Sequence, residues 1–388
     1  MHTDPLDTPA PAAPQQPDWA DDPALPAVRR WLTNAPPLVR VGDTDRLREL
    51  LARVAAGEAQ VVLAGDCSED PAESGARDVA AKAALLDLLA GTLGLTTRKP
   101  VIRAGRIAGQ FAKPRSRSFE VVNGRRLPSY RGHMVNSPEP DPRERRPDPH
   151  RMRSGYLAAR SVMQHLGWTD GTAGGHGAPV WTAHEALLLD YELPMLRRTG
   201  GRTLLASTHW PWLGERTRDA DGEHAALLAR AANPVACKIG PSTRPEEVRG
   251  LCRRLDPDRV PGRLTLVARM GAGTVTERLP PLVEAVRRLG HDVVWLCDPM
   301  HGNTVSTPSG LKTRFIQDIT REVREFQSSV RCAGGVPGGL HLETTPEWVT
   351  ECVPDRCHVD QVTGKYTSHC DPRLNPEQAA AVAAAWSA

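Results

Sequence analysis

Eight short apolar runs recur along this chain: QVVLAGDC (60–67), PVIRAGRIAG (100–109), PVWTAHE (179–185), TLLASTH (203–209), VACKIG (235–240), LTLVARMG (264–271), DVVWLCDP (292–299) and GGLHLETT (338–345). Their length and β-branched content suit buried strands. Stretches of helical period lie between most of them, at 78–95, 152–168, 223–232, 245–255, 279–290 and 311–326, and another at 377–386 closes the chain. Parallel strands need such crossovers, and eight of them can close on themselves. The pattern therefore predicts an α/β chain folded as a single (β/α)8 TIM barrel. An open doubly wound sheet is the rival, weakened because no G-x-G-x-x-G or P-loop follows any run.

Residues 1–26 are Pro-rich and polar. They are expected to form a short, largely irregular N-terminal extension, with the catalytic barrel occupying 27–388. NSPEPDPRERRPDPH (136–150) reads as a solvated surface connection and DGTAGGHGAP (170–179) as a further irregular piece. At 388 residues and 40% hydrophobic content, the chain can bury one large core. A net charge of +3 gives no reason to expect nucleic acid or a membrane surface as partner. No apolar stretch is expected to reach the roughly 20 residues that cross a bilayer. The N-terminus lacks a basic start followed by an apolar core, so a cytoplasmic location is expected. There the eight cysteines would be reduced thiols rather than a disulfide framework.

A barrel concentrates chemistry at the C-terminal ends of its strands. Those ends carry two sets of groups. Cys67, His301 and Glu343, with Asp371 just beyond in CDPRLN, form a thiolate, imidazole and carboxylate set suited to Zn, Co, Fe or Mn. Arg106, Lys113, Arg115, Arg216, Lys238 and Arg269 form a cationic set, with Ser116 and Glu215 beside them. So many cations in a barrel mouth call for anions to pair them, which implies substrates with several negative charges. Singly, each residue has a bland reading: Cys67, Cys237 and Cys297 as buried hydrophobes, a lone Arg or Lys as a solvated charge, Asp298 as a turn brace. The joint pattern at strand ends, with apolar strand bodies, supports metal-assisted chemistry on phosphorylated anions.

The segments QQPDW, GDCSE, RIAGQFAKPRS, LPSYRG, WTAHEALLLDYE, GERTR, ANPVACKIGP, LTLVARMG, CDPMHGNT, LKTR, PGGLHLETT, VTEC and CDPRLN run almost end to end. In them the chain closely resembles the type II 3-deoxy-D-arabino-heptulosonate 7-phosphate (DAHP) synthases. The resemblance implies a (β/α)8 barrel. It also implies a metal-dependent condensation of phosphoenolpyruvate with erythrose 4-phosphate, giving DAHP and phosphate at the entry to the shikimate pathway. It assigns Cys67, His301, Glu343 and Asp371 to a divalent metal, with Mn²⁺ or Co²⁺ expected ahead of Zn²⁺ or Fe²⁺. Arg106, Arg216, Lys238 and Arg269 fall to phosphoenolpyruvate, and Glu215 shares that site as a candidate for orienting water. Arg115, Ser116 and Lys312 fall to the sugar phosphate. Lys113, between the substrates, is the expected proton donor to the developing alkoxide. The resemblance further implies a homo-oligomer and leaves room for a chorismate mutase partner.

Two departures qualify it. His133 stands where the family usually has Asp, which keeps open an amino-sugar phosphate as the second substrate. The chain is also short, as in members of secondary metabolism, and lacks the pieces that hold aromatic amino acids in long members. Weak feedback inhibition is therefore expected. A non-catalytic barrel that activates a partner is the remaining rival, opposed by the intact ligand set. Cys67 and Cys370 are expected to come close enough for oxidation to join them.

Overall fold

The computed structural model describes residues 13–122, 124–173 and 178–387. Strands β1 (Gln60–Gly65) and β2 (Val101–Arg106) are followed by a hairpin, β3 (Phe119–Val122) with β4 (Arg125–Pro128), and then by β5 (Val180–Glu185). A second hairpin, β6 (Leu196–Thr199) with β7 (Arg202–Leu205), precedes β8 (Trp210–Leu213). Next come β9 (Val235–Ile239), β10 (Leu264–Ala268) and β11 (Val294–Cys297). A small ribbon, β12 (Val305–Ser306) with β13 (Lys312–Thr313), leads on to β14 (Pro337–Glu343). Strands β1, β14, β11, β10, β9, β8, β5 and β2 close, in that order, into a parallel barrel.

The helices are α1 (Leu25–Asn34), α2 (Val41–Ala55), α3 (Ala76–Thr97), α4 (His150–His165), α5 (Leu189–Glu192), α6 (Glu223–Arg230), α7 (Pro245–Leu255), α8 (Thr274–Arg288), α9 (Ile316–Cys332) and α10 (Pro376–Ala384). Each long one buries a single stripe. On α9 that stripe is Ile319, Val323, Phe326 and Val330, spaced for one helical face. Helix α3, rich in Ala and Leu, is long and apolar enough to cross a membrane, contrary to the expectation from sequence. Here it packs on β1 and β2, with Leu86, Leu89 and Leu93 in the core.

Three sequence expectations need correction. The fourth barrel strand is Trp210–Leu213 rather than 203–209. The expected run ends β7 of a hairpin and then turns, while Pro211, which cannot donate to a ladder and so argues against a central strand, sits inside the true one. Second, two N-terminal helices, α1 and α2, precede the barrel; the crossover from β5 to β8, where no helical stretch is expected, has only the short turns of 189–195 and the β6–β7 hairpin. Helix α1 packs against α4 and α5 in that region, tied by Arg29 and Trp19 to Asp190. This N-terminal pairing and the whole of α2, which packs on β11 and β14, were not legible as periodic segments. Third, 136–150 is only partly solvated. Residues 139–144 are exposed, but Arg145 is buried, donating to the Pro128 and Pro138 carbonyls at 3.1 and 2.8 Å. Within 170–179, residues 174–177 lie outside those described.

Gly339 shows how tightly β14 is seated. Its φ is +145°, and a Cβ there would come 1.9 Å from the Val61 carbonyl oxygen of β1. Gly339→Ala is expected to cost about 3 kcal/mol or more, read as a lowered urea midpoint at unchanged slope. A shift below a third of that would show that the barrel seam can yield.

His209 sets an acid limit on stability. It is buried against Trp168 and Trp181, with ring centroids 4.2 and 5.2 Å away. Its Nδ1 accepts from the Thr182 main-chain N–H at 3.2 Å. Burial pushes its pKa down to about 3. Below the ordinary histidine range the unfolded chain then binds a proton that the fold refuses. Stability should fall by up to about 1.4 kcal/mol per pH unit from about pH 6.5 towards pH 3. In His209→Asn, whose amide oxygen can replace the acceptor, thermal midpoints should decline less steeply with acid. Parallel pH profiles for the two proteins would refute this assignment.

Candidate active site at the barrel mouth

Closing the barrel brings the strand ends to one place. Arg106, Glu185 and Glu343 are the last residues of β2, β5 and β14, and Lys238 lies in β9. Glu215, Arg269 and His301 follow β8, β10 and β11, and Cys67 follows β1. Lys113, Arg115 and Ser116 come from the segment after β2, Lys312 from β13, and Asp371 from the segment before α10. All of these line a single cavity of about 530 Å³.

One side of the cavity is cationic. Trp212 of β8 forms a floor, with the Arg106 guanidinium 5.5 Å and the Lys238 ammonium 5.7 Å from its ring centroid. Such cation–π contacts help keep charge in place away from water. Arg106 also donates to the Cys67 carbonyl at 3.0 Å and meets Glu343 at 3.3 Å. Lys238 donates to Asp298 at 2.9 Å, and burial draws its pKa down. Nearer the rim, Arg216 donates to Ser116 at 2.5 Å and Arg115 pairs with Glu120 at 2.6 Å. Glu215 packs against Gly240, where a Cβ would come 3.0 Å from its carboxylate. Burial raises the Glu215 pKa despite Arg218 at 3.3 Å.

The other side gathers metal-type donors. His301, Glu343 and Asp371 each offer an atom within 4.8 Å of the others, making a candidate metal site. The Asp298 carboxylate contacts His301 Nδ1 at 2.8 Å, which turns Nε2 towards Glu343 at 3.3 Å. This is how carboxylates commonly orient metal-binding imidazoles. Burial works to raise the pKa of Glu343, but His301, Arg314 and Lys113 outweigh it and hold the carboxyl well below its usual range. The same contest, won by Lys113 and Lys312, keeps Asp371 ionised. Asp371 contacts Lys113 through one oxygen and Lys312, at 2.7 Å, through the other.

Cys67 lines the cavity but lies outside this three-donor group. Its Sγ is 3.4 Å from Ser368 Oγ, and the neighbouring Cys370 thiol lowers its pKa. Cys67, Cys370 and Tyr130 form one small buried cluster, and both thiols are free. The donor chemistry fits a divalent first-row metal: one imidazole, two carboxylates held ionised, and a thiol biased towards thiolate.

Several contributors escaped the sequence reading. Arg314 is fully buried, with its guanidinium 2.8 Å from Glu343 and 2.8 Å from Thr304 Oγ1. Arg373 ties the Asp371 segment to Asp66 at 3.1 Å and to Glu351 at 2.7 Å. Gln15 accepts from the Arg115 main-chain N–H at 2.8 Å, so the N-terminal extension braces the segment that carries Arg115 and Ser116. Trp212 was hidden by the misplaced fourth strand. Glu185 could have been found by the strand-end rule, since it closes the third run. His133, by contrast, is not among the residues lining the cavity. It stands edge-on to Tyr130 at 5.6 Å, with Asp70 3.9 Å away.

Comparison with known proteins agrees with this architecture. The profile of the Class-II DAHP synthetase family matches residues 7–176 and 161–387. A probable phospho-2-dehydro-3-deoxyheptonate aldolase of Pseudomonas fluorescens is 55% identical over 377 residues, covering 96% of this chain and 94% of that one. The phospho-2-dehydro-3-deoxyheptonate aldolase of Streptomyces coelicolor is 39% identical, covering 95% and 93%. In three dimensions, the phospho-2-dehydro-3-deoxyheptonate aldolase of Francisella tularensis superposes with a TM-score of 0.53 at 14% identity, covering 92% and 95%, a likeness of fold. From the family match along nearly its whole length and the identity to these relatives, the chain belongs to the Class-II DAHP synthetase family.

Proposed function

We propose that this protein is a DAHP synthase, joining phosphoenolpyruvate to erythrose 4-phosphate with release of phosphate. One observation carries the reading: a single cavity holds the cationic set on one wall and the three-donor group on the other. Arg106, Lys238, Arg216 and Arg269 hold phosphoenolpyruvate. Arg115, Ser116 and Lys312 hold the phosphate of the sugar. Two anions that repel each other in water are thereby fixed side by side, and proximity supplies much of the rate. Cys67, His301, Glu343 and Asp371 would hold a divalent ion, Mn²⁺ or Co²⁺ before Zn²⁺ or Fe²⁺, which supplies Lewis-acid polarisation of the aldehyde.

Lys113, kept charged by Asp371 and Glu343 against the opposing effect of burial, donates a proton to the oxygen that was the aldehyde. Glu215, whose buried Oε2 has no hydrogen-bond partner among the described residues, orients the water that adds at the enol carbon. Erythrose 4-phosphate is preferred to an amino sugar because His133, the residue behind that alternative, makes no part of the cavity lining.

The test is loss of the ultraviolet absorbance of phosphoenolpyruvate with purified, metal-loaded protein and erythrose 4-phosphate. Rapid loss that stops on chelation is expected. A folded, metal-loaded protein that consumes none would refute the proposal. Aromatic amino acids at micromolar levels should leave the rate largely unchanged.

A further inference from the structure

We propose that Glu185 is an additional substrate-binding residue that works as a carboxylic acid, taking up a proton when phosphoenolpyruvate binds and donating a hydrogen bond to it. The inference rests on the phosphoenolpyruvate reading above and adds to it a residue outside the cationic set. Glu185 closes β5 and lines the cavity. Its main-chain N–H is anchored on Gln110 at 2.9 Å, yet its buried Oε1 has no hydrogen-bond partner among the described residues. The carboxylate lies flat against Gly214, where a Cβ would come 1.9 Å from Oε1, so this strand end leaves room for it there.

Four cations face it: Arg106 from β2, Lys113 from the segment after β2, Arg216 from the segment after β8, and Lys238 from β9. Glu215 and, nearer the rim, Glu120 are the other acids on this side of the cavity. Burial already raises the Glu185 pKa against all four cations. When a multiply charged anion engages those cations, their support for an ionised Glu185 is largely cancelled. An ionised carboxylate would then face substrate oxygens that are also acceptors, in a setting poor in water. Protonation removes the repulsion and turns an acceptor into the one thing an anion needs, a donor.

Calorimetric titration of the holoenzyme with phosphoenolpyruvate, in buffers of different ionisation enthalpy near pH ~7.5, counts the protons exchanged. The wild type should take up about one proton more per phosphoenolpyruvate than Glu185→Gln, a neutral isostere that should bind within a few-fold of wild type. The substrate's own phosphate proton contributes equally to both and drops out. If Glu185→Gln fails to fold, Gly214→Ala, whose Cβ would displace the carboxylate, should lose the same uptake. Tight binding with equal proton counts would overturn the role of Glu185 while leaving the substrate assignment intact. No binding of phosphoenolpyruvate by the wild type would overturn both.

Discussion

Lys113→Met should lower kcat for phosphoenolpyruvate consumption by about three orders of magnitude, roughly 4 kcal/mol of lost transition-state stabilisation. The Lys113 ammonium contacts Asp371 and lies 3.9 Å from Glu343, so it sits at the junction of the two walls of the cavity. Lys312 holds the other oxygen of Asp371, at 2.7 Å, and is assigned to the sugar phosphate. Arg106 is committed to the Cys67 carbonyl and Trp212, and Arg314 is buried behind Glu343. Methionine keeps the volume and removes the charge. The KM for phosphoenolpyruvate should move little, because Arg106, Arg216, Lys238 and Arg269 remain. A kcat within tenfold of wild type would remove Lys113 from the chemistry.

His301→Ala should abolish turnover and, measured independently, lower the bound metal after dialysis from about one equivalent towards none. It removes the only nitrogen donor of the three-donor group. Asp298→Asn is the graded companion. Asp298 contacts both His301 Nδ1 and the Lys238 ammonium, at 2.8 and 2.9 Å, so it fixes a metal-side donor and an anion-side cation together. Losing that charge should weaken metal affinity by about 10- to 100-fold and raise the phosphoenolpyruvate KM in the same variant. A Asp298→Asn protein with a changed metal affinity but unchanged KM would show that the two walls are not coupled through this carboxylate. Full metal occupancy in His301→Ala would place the ion elsewhere.

Oxidation offers a separate handle on the same wall. Cys67 and Cys370 are buried together, and a disulfide between them would occupy the thiol that completes the donor set. Mild oxidation should therefore reduce activity in a manner reversed by thiols, and Cys370→Ser should resist it. Equal sensitivity in the two proteins would exclude this pair.

The residues of the site are legible along the chain because its charged groups cluster at or just beyond the C-terminal ends of largely apolar strands, although buried polar side chains such as Thr182, His184, Thr265 and His341 also lie within strand bodies. In β9, β10 and β11 the strand bodies are largely apolar, and the chemistry begins one residue before the strand stops at Lys238, one after it at Arg269 and four after it at His301. That contrast needs no knowledge of neighbours. Helices α7 and α9 were equally readable, since each buries a single stripe at helical spacing.

What the linear chain could not reveal depends on contacts across long separations. The fourth strand is hard to see along the chain because Trp210–Leu213 contains a proline and is fully buried, while the neighbouring 203–209 segment looks more strand-like by composition. Closure of the barrel, not local propensity, selects the former. Trp212 became a floor for Arg106 and Lys238 only through that closure. Arg314, Arg373 and Gln15 act through partners 29, 307 and 100 residues away at Glu343, Asp66 and Arg115. The sequence alone determined which groups this protein can bring to bear and that strand ends would carry them. The tertiary structure decided which of them meet: polar groups at strand ends are chosen locally, but their partners are set by the order and register in which eight strands close.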